Sequence, residues 1–299
     1  MKLALLFTLC AFAAPLLARF IKSADGTQLW AEAKGDPTKP HVVFIHGYLL
    51  GAIVWDKIFE DETYSNSLYL VRYDMRGFGQ SDKPLDQSAY ESARFAEDFD
   101  AVVQKFNLNK PVAAAWSYGA SVFVDIYALH GNGVVSGIVY LAGLPYTSIL
   151  PSIVTAELTT LLPEITQDTN VTLYDSAEVE FLNTLVYNQT VLDFRTRTSW
   201  LGLAGFMPQV VKNNLAARTQ DPSRLFSVGG PVLPVLFVAG AQDGVANDTL
   251  LVQTLQPKFQ KFQLLWLPES GHTVWLEEFE EVRARVLTFV NSIVGGGKQ

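Results

Sequence analysis

The sequence predicts an α/β protein built on a mostly parallel sheet with helices on both faces. Short apolar segments rich in β-branched residues recur along the chain, and amphipathic helical patterns separate several of them. Parallel strands are buried on both faces and need crossover helices between them, which accounts for both observations. The chain has 299 residues, enough for a large core, and its 49% hydrophobic content excludes an intrinsically disordered protein.

The first 18 residues have the layout of a secretory signal peptide rather than of folded structure. Lys2 precedes an apolar run over residues 3–17, and small residues at Ala11 and Ala13, or at Ala18, offer cleavage sites. The run is shorter than the ~20 apolar residues of a membrane-spanning helix. We therefore expect a secreted protein without a stable membrane anchor; an uncleaved anchor or a buried first helix is the alternative.

Cysteine usage and charge narrow the class of protein further. The single cysteine, Cys10, lies in the predicted leader, so the mature chain would carry no thiol and no disulfide. Acceptor triplets for N-glycosylation follow at Asn170, Asn188 and Asn247. The chain carries 22 Lys and Arg against 30 Asp and Glu, and a surface this acidic argues against a nucleic-acid partner. The sequence carries no signal for oligomeric state.

The predicted core, residues 19–144 and 231–294, opens with a hairpin. Asp25-Gly26-Thr27 is a turn signal between two strand-like segments, which supply an antiparallel edge. The predicted strands are 19–22, 28–34, 41–46, 68–73, 111–116, 137–141, 232–239 and 262–267. The predicted helices are 91–106, 118–129 and 276–294.

Residues 145–230 interrupt the alternation and are predicted to form a helical cap inserted in the core. This stretch has helical patches but no clear strand, and it is too long for a structureless loop. Its apolar residues are expected to pack the cap onto the body, with a few facing a cavity: Phe181, Tyr187, Phe194, Trp200, Leu201, Leu203, Phe206 and Met207. Residues 295–299 are interpreted as a flexible tail.

Ala115-Trp116-Ser117-Tyr118-Gly119 stands where a buried strand is predicted to meet a helix. This is the context of a nucleophile elbow, a strained corner that exposes the serine hydroxyl. The small residues at either end admit neighbouring backbone, and the helix start aims free N–H groups at developing negative charge. Trp116 and Gly119 are therefore predicted to support Ser117. A serine that merely caps a helix is the structural alternative.

A serine hydroxyl becomes a useful nucleophile only when a base takes its proton and an acid orients that base. Of the four histidines, His272 follows the last predicted strand, at the same edge of the sheet as Ser117. Asp243 follows the preceding strand, which gives the chain order Ser, Asp, His. We predict that these three residues form a catalytic triad, and this chemistry requires no cofactor and no metal.

An oxyanion hole needs two backbone N–H donors. Tyr118 follows the nucleophile and is predicted to supply one of them. The amide of Tyr48, in His46-Gly47-Tyr48 after the third strand, is predicted to supply the other. Gly47 is expected to allow the turn, and His46 is expected to brace this loop by hydrogen bonds rather than to act as a base.

Five motifs together resemble the α/β-hydrolase superfamily, over residues 24–294. They are His46-Gly47-Tyr48, the turn at 74–82, the serine motif at 115–119, the run at 240–243 and Gly271-His272. The resemblance is to the fold-1 group of esterases, non-haem haloperoxidases, epoxide hydrolases and haloalkane dehalogenases. It implies an eight-stranded sheet, a cap after the sixth strand and the triad named above. Serine at position 117, where the last two classes use aspartate, argues against those two activities.

These residues predict a secreted serine hydrolase that cleaves carboxylic esters through an acyl-enzyme, with an apolar small-molecule ester as its substrate. A perhydrolase or haloperoxidase-like enzyme, or a lactonase, would use the same triad. A non-catalytic binding module of the same fold is the alternative outside enzymes. Trp116 and Tyr118 suggest an apolar acyl pocket, but no motif in the cap identifies the substrate or its acyl-chain length.

Overall fold

The computed structural model describes residues 17–295, and its centre is an eight-stranded sheet. The strands are β1 (Leu17–Lys22), β2 (Gln28–Lys34), β3 (His41–Ile45), β4 (Tyr69–Tyr73), β5 (Val112–Trp116), β6 (Gly137–Leu141), β7 (Pro234–Gly240) and β8 (Lys261–Leu267). Their order in the sheet is β1-β2-β4-β3-β5-β6-β7-β8. β2 pairs antiparallel with β1 and β4, and all other neighbours pair in parallel. The predicted fold class is confirmed.

Helices connect the strands and cover both faces of the sheet. Those of the described chain are α1 (Asp56–Glu60), α2 (Glu62–Ser67), α3 (Ser92–Lys105), α4 (Val122–His130), α5 (Leu150–Ile153), α6 (Ala156–Ile165), α7 (Val171–Thr184), α8 (Phe194–Gly205), α9 (Gln209–Ala216), α10 (Asp248–Leu255), α11 (Val274–Glu277) and α12 (Phe279–Gly295). α3 packs against α4, and α12 packs against α2. Every residue of β4, β5 and β6 is buried, as expected for strands covered on both faces.

The end of the predicted leader belongs to the sheet. Leu17 and Ala18 pair through their backbones with Ala33 and Glu32 of β2. Residues 1–16 of the predicted leader and residues 296–299 of the predicted tail lie outside the described residues. A cleavage after Ala18 would therefore remove the first two residues of β1, whereas a cleavage after Ala13 would leave that strand complete.

Two predicted element limits are wrong for local reasons. The seventh strand begins at Pro234 rather than Val232, because the amides of Val232 and Leu233 both donate to Gly229 O and close a turn first. Proline suits the first position of a strand, where its missing N–H costs no ladder bond. The last helix is two helices, α11 and α12, because the backbone of Glu278 leaves the helical region between them.

The segment between β3 and β4, for which the sequence predicts no helix, contains a 3₁₀ turn, Ala52–Trp55, followed by α1 and α2. Asp61 caps α2, because its carboxylate accepts the N–H of Tyr64 at 2.7 Å. These helices have five and six residues, too few for a helical periodicity to be visible in the sequence.

The segment between β6 and β7 holds α5 to α9, and none of its described residues forms a strand. An isolated bridge between Val154 and Ala246 ties it to the loop after β7. The expected packing onto the body is wrong for Tyr187, Phe194 and Phe206, whose exposed fractions are 52%, 82% and 70%. Phe194 begins α8 and Phe206 follows its last residue, so both lie at helix ends rather than on a packed face.

Candidate active site

Ser117 occupies a strained corner at the carboxyl end of β5. Its φ of +51° lies in the left-handed region, and a 3₁₀ turn, Ser117–Ser121, leads from it into α4. A Cβ at Gly119 would lie 2.3 Å from His46 O and 2.9 Å from Ile45 O. Glycine is therefore required at position 119 for close backbone approach, and the corner holds the loop after β3 against the serine.

His272 and Asp243 are in contact with each other, and they lie in the loops that follow β8 and β7. Nδ1 of His272 donates to Oδ2 of Asp243 at 2.6 Å, and both side chains are at most 2% exposed. The other carboxylate oxygen accepts the N–H groups of Val245 at 2.7 Å and Ala246 at 2.9 Å. The histidine is thereby held in the tautomer whose Nε2 is a proton acceptor. Among the described residues, Nε2 of His272 has no hydrogen-bond partner.

Trp116 holds the histidine from the side of the core. Its indole N–H donates to His272 O at 3.0 Å, and its ring centroid lies 5.5 Å from the imidazole centroid. Trp116 is 1% exposed and does not line the cavity in front of Ser117. It is therefore placed to orient His272 rather than to contact a molecule in the cavity.

A cavity of about 560 Å³ opens in front of Ser117 and His272. Most of its lining residues belong to the cap, the others follow the sheet strands or lie in α10, and none of them is Asp, Glu, Lys or Arg. Apolar side chains dominate the lining, including Leu144, Leu150, Leu158, Leu162, Phe181 and Leu251. The volume is that of a pocket for a small organic molecule, and the lining favours an uncharged, apolar one.

His46 braces the loop after β3. Its ring is fully buried, Nδ1 donates to Gly47 O at 2.8 Å, and Nε2 accepts the N–H of Met75 at 3.0 Å. Burial lowers the pKa of His46 to about 4, so the ring is neutral near pH 7. Both nitrogens are occupied by backbone groups, which leaves His46 no atom with which to serve as a base.

Gly47 is required for a different reason from the one expected. Its φ lies outside the left-handed region, so the turn itself does not demand glycine. A Cβ at position 47 would instead lie 2.9 Å from the Trp116 ring and 3.2 Å from Cβ of Ser117. The residue is small because the loop after β3 passes directly over the serine corner.

Tyr48 and Tyr118, the predicted oxyanion donors, both line the cavity with Ser117. Their ring centroids are 5.6 Å apart. The amide of Tyr48 takes part in none of the loop hydrogen bonds of the described chain. Leu49, next to Tyr48, has a φ of +63°, so a strained residue adjoins each predicted donor.

The turn at residues 74–82 holds the loop after β3 through hydrogen bonds to its backbone. Asp74 accepts the N–H of Ala52 at 2.6 Å through Oδ1 and that of Gln80 at 2.8 Å through Oδ2. Burial raises the pKa of Asp74 to about 6. Arg76 is fully buried and pairs with Asp98 at 2.6 Å. These contacts are structural, because none of these residues lines the cavity.

Two buried charged residues near the site, Asp248 and Arg218, were not predicted from the sequence. Asp248 accepts the N–H of Gly240 at 2.7 Å, and burial together with the neighbouring Asp243 carboxylate raises its pKa well above the usual range. Arg218, which follows α9, forms a buried ion pair with Asp125 of α4. Neither residue stands in a recognisable motif, and only the folded chain brings them to the site.

The three glycosylation candidates lie on the surface, each at a helix start. Asn170, Asn188 and Asn247 are exposed N-cap residues whose side-chain oxygens accept backbone N–H groups. The side-chain nitrogen, to which a glycan is attached, is not the capping atom. Within residues 17–295, no cluster of three His, Cys, Asp or Glu could hold a metal, and no helix is long and apolar enough to cross a membrane.

Comparison with known proteins places the chain in a family. "Probable oxidoreductase EphD" of Mycobacterium tuberculosis is 36% identical over 96 residues, 32% of this chain but only 16% of that protein. "Putative non-heme chloroperoxidase" of Synechocystis is 23% identical over 259 residues, 83% of this chain and 90% of that protein. The structure of "a putative aryl esterase from Burkholderia cenocepacia" has a TM-score of 0.85 at 24% identity and covers 93% of this chain and 100% of its own.

The likeness to the esterase structure shows the fold, and a separate match to a family model shows the family. A model of the alpha/beta hydrolase family matches residues 42–285, which include the corner at Ser117 and the pair of Asp243 and His272. The chain therefore belongs to the alpha/beta hydrolase family.

Proposed function

We propose that the protein is a serine hydrolase that cleaves uncharged, largely apolar carboxylic esters. One observation carries the proposal: Ser117 stands at a left-handed corner in an apolar cavity that it shares with His272, and His272 is held by Asp243. Strained serine, buried base and orienting carboxylate are the parts that acyl transfer needs, and each follows a different strand of the sheet.

In the proposed reaction, Ser117 Oγ attacks the ester carbonyl carbon while His272 Nε2 takes the hydroxyl proton. Asp243 stabilises the imidazolium that forms, and the amides of Tyr48 and Tyr118 bind the oxyanion. Collapse of the tetrahedral intermediate breaks the ester C–O bond, and His272 returns the proton to the leaving alcohol. Water, activated by the same histidine, then attacks the acyl-enzyme, releases the acid and restores Ser117.

The cavity supports the class of substrate. A charged acyl or alcohol group would lose its hydration in a lining without a single Asp, Glu, Lys or Arg to compensate it. An apolar group gains free energy there, because it removes its own surface and that of the leucine side chains from water. Esters with a neutral alkyl or aryl group are therefore the proposed substrates.

The test is hydrolysis of a panel of neutral nitrophenyl esters by the wild type and by Ser117→Ala and His272→Ala. Each variant should lose at least about 10³-fold in kcat, because the members of a triad act as a unit. Ser199→Ala, on the exposed face of α8, and His130→Ala, at the end of α4, are the matched controls and should keep wild-type rates. Near-normal turnover by either triad variant would refute the assignment.

A perhydrolase is the second candidate, and the Synechocystis relative named as a non-heme chloroperoxidase favours it. The same triad would transfer an acyl group from a carboxylic acid to hydrogen peroxide, giving a peracid and water. The discriminating assay is bromination of an indicator dye in the presence of bromide and hydrogen peroxide. A perhydrolase causes bromination only in a carboxylate buffer, whereas an enzyme that only hydrolyses esters causes none in any buffer.

Secretion and glycosylation are part of the same proposal. The leader pattern of residues 1–18 supports export, and the exposed positions of Asn170, Asn188 and Asn247 are compatible with attached glycans. Expression of the full chain in a glycosylating host tests both points. The medium should contain a protein that begins after Ala13 and loses mass on enzymatic deglycosylation; retention in the cell with an intact Met1 would contradict export.

A further inference from the structure

We propose that helix α9 of the cap positions both oxyanion donors, through the hydroxyl groups of Tyr48 and Tyr118. Each hydroxyl donates to a backbone carbonyl of α9: Tyr48 to Lys212 O at 3.2 Å and Tyr118 to Leu215 O at 3.1 Å. The inference rests on the proposed function, because it assigns a role in catalysis to the seating of this helix. It makes the two hydroxyls positioning groups, distinct from the amides that bind the oxyanion.

Lys212, whose carbonyl accepts the Tyr48 hydroxyl, is itself held in place inside the cap. The Lys212 side chain is fully buried, and its ammonium donates to Glu178 of α7 at 2.8 Å. The same ammonium lies 4.3 Å from the centroid of the Tyr174 ring. A buried charge held in this way cannot shift without losing its partner, so the carbonyl that receives the Tyr48 hydroxyl has a fixed position.

The Tyr118 hydroxyl, which donates to Leu215 O, also takes part in a group of contacts that joins the end of the cap to the segment after Ser117. Arg218, two residues after α9, donates to the Tyr118 hydroxyl at 2.9 Å and pairs with Asp125 at 2.5 Å. Asp125 belongs to α4, the helix that begins just beyond Ser117. Gln220 donates to Asp125 at 2.6 Å and to Ser121 O at 2.9 Å. The end of the cap is thus tied to both ends of the first turn after the serine.

Backbone strain explains why the donors need such anchors. Tyr48 precedes Leu49 at φ +63°, and Tyr118 follows Ser117 at φ +51°. A non-glycine residue in this region costs on the order of 1–3 kcal/mol and relaxes unless its surroundings hold it. The Tyr118 amide belongs to the peptide that Ser117 begins, and Tyr48 directly precedes Leu49. A hydrogen bond from the side chain of each tyrosine therefore limits the rotation of that tyrosine's own amide.

The arrangement also couples the cavity to the oxyanion hole. Leu215 and Ala216 of α9 line the cavity, on the same helix whose carbonyls receive the two hydroxyls. A substrate that fills the cavity would therefore contact the helix that aligns the amides. Loss of the anchors should weaken transition-state stabilisation while leaving ground-state binding almost unchanged.

The experiment compares the double variant Tyr48→Phe, Tyr118→Phe with the wild type on one neutral ester. We expect kcat to fall about tenfold, with KM within about twofold of the wild-type value. Tyr140→Phe is the matched control, because Tyr140 is fully buried and its hydroxyl has no partner among the described residues. An unchanged kcat in the double variant, or an equal loss in the control, would overturn the inference.

Hydrogen exchange gives a second readout that needs no activity. Peptides covering residues 209–216 and 46–51 should exchange faster in the double variant than in the wild type and in Tyr140→Phe. Unchanged exchange in these peptides would overturn the anchoring role. If the wild type hydrolyses no ester, the proposed function fails. The exchange measurement still decides whether the tyrosine hydroxyls join α9 to the loop at residues 46–51.

Discussion

A side chain at position 119 would collide with the loop that carries Tyr48, because its Cβ would lie 2.3 Å from His46 O. The neighbouring loop cannot retreat freely, since Asp74 holds it through Ala52 and His46 holds it through Met75. At the scale of single residues, the site therefore depends on the absence of atoms at 119 as much as on the chemistry of Ser117.

Gly119→Ala should lower the free energy of unfolding by about 1–3 kcal/mol, the range for an overpacked interior, and should also reduce kcat. Gly202→Ala is the control, because Gly202 lies in α8 with no atom within 4 Å of an added Cβ. It should raise stability by up to about 1 kcal/mol, as alanine favours a helix interior over glycine. Denaturant unfolding measures both; equal effects of the two substitutions would contradict the account.

The residues that could be predicted from sequence share one property, a position directly after a readable apolar strand. Ser117, Asp243 and His272 were predicted in this way; in the structure Asp243 and His272 form a hydrogen bond, and Ser117 and His272 line the same cavity. Arg218 and Asp125 could not be found, because they are 93 positions apart in the chain and their pairing exists only after the cap has folded.

The cap helices α5 and α6 form much of the cavity wall, so we expect the choice of substrate to depend on these elements. Leu162 of α6 is half-buried and lines the cavity, whereas Leu173 of α7 is 39% exposed and does not. The two leucines offer a matched pair, since the same substitution narrows the cavity at one position and leaves it unchanged at the other.

Leu162→Trp should reduce kcat/KM about tenfold or more for long-chain esters and leave acetyl esters within about twofold, because a larger side chain shortens the space for the acyl group. Leu173→Trp should leave the whole chain-length profile unchanged. Rates measured across a series of acyl lengths test this. A uniform loss at all lengths for Leu162→Trp would place the acyl group elsewhere.

At the scale of elements, strands were easier to predict than helices. Central strands are continuous apolar runs, and the limits of β4 and β6 differ from expectation by at most one residue. The short helices α1 and α2 were missed, because no periodicity develops over five or six residues. Packing onto the body was wrongly expected for Phe194 and Phe206, since composition does not reveal where a cap helix begins and ends.

The whole molecule brings the carboxyl ends of β3, β5, β7 and β8 to one edge of the sheet, where Tyr48, Ser117, Asp243 and His272 follow them. The loops that follow these four strands contain or contact buried polar side chains, among them His46, Asp74 and His272. Global stability should therefore respond to pH through groups such as His46, which folding removes from water.

The unfolded chain protonates His46 below its ordinary pKa of 6.5, whereas the folded chain does so only near pH 4. The unfolded state binds more protons between these values, so this group's contribution to stability falls as the pH falls from 6.5 to 4. The stability of the wild type relative to His46→Gln should decrease by about 3 kcal/mol over that window. Urea unfolding at pH 7, 5.5 and 4 measures it, and a difference independent of pH would contradict the buried, neutral assignment.

The central claim is that Ser117 is a nucleophile activated by His272, and covalent labelling tests it most directly. The folded protein is treated with a fluorophosphonate and analysed by intact mass and peptide mapping. We predict one phosphonyl adduct, located on Ser117, with labelling abolished in Ser117→Ala and slowed by orders of magnitude in His272→Ala. Absence of an adduct on the folded wild type, or an adduct on another residue, would contradict the claim.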